Sequence, residues 1–261
     1  MQRKIVVVHG VQTGDDDDLK QDDAIHKLLR QRLGDLEVDC AVEMYRYENL
    51  NNSVLDKYQK LIKLLISTPL GATLAASAID LAGDVVISLA QGSTADKIRN
   101  ALREKILAYY AAGHPTYVVA HSLGTVYSFD VINQLMRDTA YFSRDSRLNW
   151  PVLGWVTLGS PLGLGMFKAT GRSHVTHLGP GDRVFPWRNY YDPNDPVVSG
   201  NIFGARMGNE KIAEAYLDDS DSQGWSIRDY PVNTGKLHLL AHVAYWENAA
   251  VGEGIRAMVA E

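Results

Sequence analysis

Apolar residues fall into two kinds of run along this chain. Residues 5–8 (Ile-Val-Val-Val), 117–119 (Tyr-Val-Val) and 152–158 are short, uncharged stretches of the sort that a parallel sheet buries on both faces. Residues 38–47 alternate instead, with Val38, Cys40, Val42 and Met44 apolar, which predicts an edge strand with one wet face. Two further strands are expected, a short one within 183–191 and a last one over 226–232. Between them the period changes. Ala24, Leu28, Leu29 and Leu33 mark a helix ending at Gly34, and Leu123, Tyr127, Val131 and Leu135 recur every four residues as on the buried side of another. Helical patterns also cover 54–67, 73–90, 95–110 and 210–217, and a final helix follows Trp246. Strands alternating with helices predict an α/β fold with a mostly parallel central sheet flanked by helices.

A chain of 261 residues accommodates this as one domain, 1–261. A helical insertion of about 50–112 precedes the strand at 117, longer than one crossover helix requires. Its middle piece is apolar on most sides, broken by Asp80 and Asp84. It reads either as buried core or as a cap that lends an apolar pocket to a site beneath it. The most membrane-like window, the uncharged residues 64–79, is too short to span a bilayer and is interrupted by Pro69 and Gly71. Nothing at the N-terminus has the form of a signal peptide, so a cytoplasmic protein without an integral membrane segment is expected.

Charge and cysteine content narrow the choice of chemistry. A net charge of −5 argues against nucleic acid as a partner. The one cysteine, Cys40, cannot form an internal disulfide and reads as strand filler. Asp15 to Asp18 form an acidic run expected to be a solvated loop, without the spaced ligands of a calcium site.

The strongest chemical signal is Ala120-His121-Ser122-Leu123-Gly124, where the strand pattern gives way to the helix pattern. A serine at such a sharp turn is strained and held clear of the sheet with its hydroxyl exposed, and the next N–H is free to hold an oxyanion. Small neighbours are needed because strand and helix pass closely. This pentapeptide resembles the nucleophile elbow of the α/β-hydrolase superfamily, G-x-S-x-G, with Ala120 in place of the first glycine. The resemblance implies an α/β-hydrolase fold, Ser122 as nucleophile and the N–H of Leu123 as one oxyanion donor. By the same resemblance, His9-Gly10 after the first strand introduces an oxyanion loop, and Val11 supplies the second donor. The Gly159-Ser160-Pro161 turn also recurs in lipase-like members. Ser160 is a poor rival nucleophile, since Pro161 has no N–H to offer.

In this superfamily the acid and then the base follow the nucleophile. Asp195, in Asp-Pro-Val, best matches the position of the acid, with Asp192 and Asp182 as rivals, and any of the three could instead form an Asx-turn. Only His238 and His242 lie beyond Asp195. The His-x-x-Tyr-Trp stretch from His242 resembles the superfamily's terminal motif, a histidine on a loop before the last helix, which favours His242. His238 and His242 are four apart but lack the glutamate of a zinc protease, His174 and His177 read as a strand edge, and neither a metal nor another cofactor is expected. His9 and His121 are expected in structural roles at the floor of the site.

Taken together these residues imply a serine hydrolase, lipase or esterase-like and similar to the relatives of GPI-inositol deacylase. Its expected partner is a small-molecule ester or lipid-like substrate, cleaved through an acyl-enzyme. A peptidase, amidase or thioesterase would use the same triad. A binding protein on a hydrolase scaffold is the non-catalytic alternative.

Overall fold

The computed structural model describes residues 1–10, 16–47, 92–141, 150–163, 178–179, 186–199, 201–202, 205–206, 211–213, 225–236 and 239–261. Strands β1 (Arg3–Val8), β2 (Cys40–Tyr45), β3 (Thr116–His121), β4 (Gly154–Leu158), β5 (Leu178–Gly179), β6 (Pro186–Tyr191) and β7 (Trp225–Pro231) form a seven-stranded sheet. Their order is β2-β1-β3-β4-β6-β7-β5, and every pairing is parallel. This is the α/β fold, a parallel central sheet flanked by helices, that the sequence predicts.

Burial on both faces explains the uncharged strand runs. Val6 and Val8 of β1 enter one core with Val118 and Ala120 of β3, whereas Ile5 and Val7 enter the opposite one with Tyr117 and Val119. Helices α1 (Asp16–Leu33), α2 (Ser93–Ala111), α3 (Leu123–Arg137), α4 (Leu239–Val243) and α5 (Ala249–Ala260) accompany the sheet, beside a four-residue helical turn at Pro196–Ser199 and a small antiparallel strand pair at 201–202 and 205–206. The first face is covered by α2 and α3, through Leu102, Ile106, Val126 and Val131. The second is covered by α1 and α5, through Ile25, Leu29, Val251 and Ile255. Thus α2, the last helix of the expected insertion, is a layer of the main fold. The rest of that insertion, including the patterns at 54–67 and 73–90, lies outside the described residues.

Two local expectations change. The edge strand begins at Cys40, not residue 38, because the ladder with β1 starts at the pair Arg3 and Cys40. Before it, Gly34 adopts φ 55°, ending α1, and Gly34–Asp39 form a 3₁₀ turn that leaves Val38 exposed. The acidic run is not a loop over its described part. Asp16 to Asp18 are the opening residues of α1. No described helix is long and apolar enough to cross a membrane.

Candidate active site

All the loops that build the site leave the carboxyl ends of parallel strands, the position at which open α/β sheets gather their ligands. Ser122 is the single residue between β3 and α3, with φ 53° and ψ −127°, and it has the only positive φ of any described residue other than glycine. Such a conformation costs about 1–3 kcal/mol and persists only where its surroundings dictate it. Here the Ser122 N–H donates to the Leu158 carbonyl at 2.9 Å, and the Ser122 carbonyl accepts from the Thr125 hydroxyl at 2.6 Å. Close approach also dictates Gly124, since a Cβ there would lie 2.3 Å from the carbonyl oxygens of both Val8 and His9. Ala120 is fully buried in β3, so the methyl group absent from the usual motif is accommodated. Leu123, the first residue of α3, has an N–H with no acceptor within the helix, as an oxyanion donor requires.

The structure brings Ser122, His242 and Asp195 into one hydrogen-bonded chain. Oγ of Ser122 lies 2.8 Å from Nε2 of His242, and Nδ1 of His242 lies 2.8 Å from Oδ2 of Asp195. A carboxylate only accepts, so Nδ1 carries the proton and Nε2 presents its lone pair to the serine hydroxyl. His242 sits in the five-residue helix α4 rather than on the expected loop, an arrangement that leaves it 5% exposed. The expected exposure of the hydroxyl also needs correction: Ser122 is 2% exposed. The chain at Gly10 presses on it, so that a methyl added there would lie 2.7 Å from Cβ of Ser122 and 3.2 Å from Oγ.

Asp192 and Asp195 occupy the same turn but do different work. Oδ1 of Asp192 accepts from the Asn194 N–H, and Oδ2 accepts from the N–H and hydroxyl of Thr234, at 2.7–2.8 Å. These bonds fasten the end of β7 to the turn and, despite desolvation, hold the Asp192 carboxyl below its usual range. Asp195 does both things the sequence left open. Oδ1 closes an Asx-turn with the Val197 N–H at 2.9 Å while Oδ2 faces His242.

Tyr245, in the sequence only one position of the His-x-x-Tyr-Trp stretch, is bonded to both aspartates of this turn. Its hydroxyl donates to Oδ2 of Asp195 at 2.9 Å and accepts from the Asp192 N–H at 2.8 Å. Burial, followed by the charge of Asp195, pushes this phenol well above its ordinary range, so it remains a protonated donor. The signal available was spacing: a tyrosine three residues after a histidine on helical backbone lies on the same side. Gly159, too, is only one position of a motif in the sequence. At φ 55° it forms the floor beneath the group, where a Cβ would come within 2.8–3.1 Å of Tyr245, His242 and Asp195.

The two floor histidines are buried and neutral. Nε2 of His121 donates to the His242 carbonyl at 2.7 Å, and its ring lies 4.8 Å from that of His242. Burial first, and then His242, hold it well below the ordinary 6.5. Burial likewise lowers His9 to about 4, although Asp22, 3.3 Å from its Nε2, pulls the other way. Ser160, buried in the neighbouring turn, shares a hydrogen bond with the Thr125 hydroxyl at 2.8 Å. Val11, His174, His177, Asp182 and His238 lie outside the described residues. Among the described residues no three His, Cys, Asp or Glu side chains are grouped as a metal ion would need.

The sequence matches no protein-family model and no curated protein sequence. Solved structures do resemble it. A candidate YdeN-like hydrolase from Pectobacterium atrosepticum superposes with a TM-score of 0.45 at 10% identity, over 98% of this chain and 90% of that one. A candidate hydrolase of the α/β superfamily from Xanthomonas campestris pv. campestris gives 0.35 at 12% identity, over 98% and 99%.

Proposed function

We propose that the protein is a serine hydrolase that cleaves carboxylic esters of an acyl or lipid-like substrate. The observation that carries this reading is the continuous Ser122–His242–Asp195 chain, with bonds of 2.8 Å on both sides of the imidazole, behind a serine of strained backbone. Oγ of Ser122 attacks the ester carbonyl as its proton passes to Nε2 of His242. The carbonyl electrons move onto oxygen, where the N–H groups of Leu123 and Val11 receive the charge. The intermediate collapses with loss of the alcohol, protonated by His242, and water repeats the sequence on the acyl-enzyme. Asp195 holds the imidazole in one tautomer and stabilises the imidazolium.

Nitrophenyl esters of increasing acyl length test the reading. The wild type should turn over at least one of them. Ser122→Ala should lower kcat by about 10⁴–10⁶-fold and Asp195→Asn by about 10⁴-fold. Asp192→Asn should change kcat only a few-fold and act mainly on stability. Equal losses from the two aspartate variants would contradict the assignment of the acid. One observation favours a second reading, a binding protein on a hydrolase scaffold: Ser122 is 2% exposed, and a substrate carbonyl has to reach it. Failure of the folded wild type to hydrolyse any ester, amide or thioester would support that alternative.

A further inference from the structure

We infer that Tyr245 is a positioning residue that weakens the hold of Asp195 on the His242 imidazolium and so sets the pH at which Ser122 becomes nucleophilic. The inference rests on the reading of Ser122 as nucleophile and His242 as base. Oδ2 of Asp195 receives two donors, Nδ1 of His242 at 2.8 Å and the Tyr245 hydroxyl at 2.9 Å. The second draws negative charge from the very oxygen that steadies the imidazolium. The direction of the phenolic proton is fixed by the Asp192 N–H, which donates to the Tyr245 oxygen at 2.8 Å and leaves the O–H to point at Asp195. Gly159 keeps the three side chains in register, because any larger residue would press on all of them.

Three other described titratable residues near this cluster are neutral or engaged elsewhere. The His121 ring lies 4.8 Å from His242 and 6.0 Å from Tyr245 but is neutral, and it donates to a backbone carbonyl. His9, whose charge would act on His121, is held neutral by burial. The Asp192 carboxylate is engaged by Thr234 and Asn194. Tyr245, in contrast, bonds the pair directly through Oδ2 of Asp195.

The test is the rate of covalent inactivation by a fluorophosphonate as a function of pH, which needs no knowledge of the natural substrate. Inactivation requires neutral His242, so the rate should rise along an acid limb. Tyr245→Phe leaves more charge on Asp195, stabilises the imidazolium and should move the midpoint of that limb up by about half to one pH unit. Replacing Tyr245 site-specifically with 3-fluorotyrosine keeps the ring and hydroxyl but makes the donor stronger, and it should move the midpoint down by a few tenths of a unit. A residue with a purely structural role would slow inactivation equally at every pH and leave both midpoints in place, which would overturn the inference. If Tyr245→Phe fails to fold, the fluorinated variant decides alone: a downward shift supports the inference and an unmoved midpoint defeats it. A folded wild type that is never labelled at Ser122 would instead defeat the hydrolase reading, an outcome distinct from labelling with fixed midpoints.

Discussion

Single residues in this protein are held in states they would not adopt free in water. Ser122 keeps a left-handed backbone because its amide and carbonyl are both engaged, and His9 stays neutral because it is fully buried. The second has a measurable consequence. His9 is lowered from 6.5 to about 4 in the folded protein, so between those values the unfolded chain takes up a proton that the folded one refuses. Stability should therefore be fully present above pH 6.5 and decline as the pH falls toward 4, by about 2–4 kcal/mol at the limit. His121, lowered in the same sense, adds to the decline. Urea unfolding at pH 7 and pH 4.5 checks this: His9→Gln, which cannot titrate, should lose less stability between the two than the wild type. Identical losses would contradict the assignment.

At the scale of elements, the elbow works because β1 and α3 nearly touch. A methyl at position 124 meets backbone oxygens at 2.3 Å, and backbone, unlike the tip of a side chain, cannot swing aside. Gly124→Ala should destabilise the protein by about 1–3 kcal/mol or more and suppress activity, as thermal unfolding and ester turnover would show. A variant of wild-type stability and activity would mean that strand and helix are not so close. The elements around this turn were legible because burial on both faces leaves β1, β3 and β4 without charge, a signal carried by each strand alone. The start of β2 was not, because it is set by the register with β1, a relation between segments. Likewise the first turn of α1 was obscured by three aspartates that read as a loop.

Over the whole molecule, a strand order of β2-β1-β3-β4-β6-β7-β5 places the ends of β3, β6 and β7 close enough for residues up to 120 positions apart to share one hydrogen-bonded chain. The chain order of Ser122, Asp195 and His242 was readable from motifs, since each sits beside its own local signature. What joins them was not. The Tyr245 hydrogen bonds, the bracing of the turn by Thr234 and the enclosure of Ser122 depend on surfaces that meet only in the folded protein. The decisive experiment asks whether a reagent reaches this enclosed hydroxyl. Folded protein at neutral pH is exposed to a fluorophosphonate, digested, and the modified residue located by mass spectrometry. The account predicts one adduct, on Ser122, absent from Ser122→Ala and strongly slowed in His242→Ala; an unmodified wild type, or an adduct on another residue such as Ser160, would contradict it.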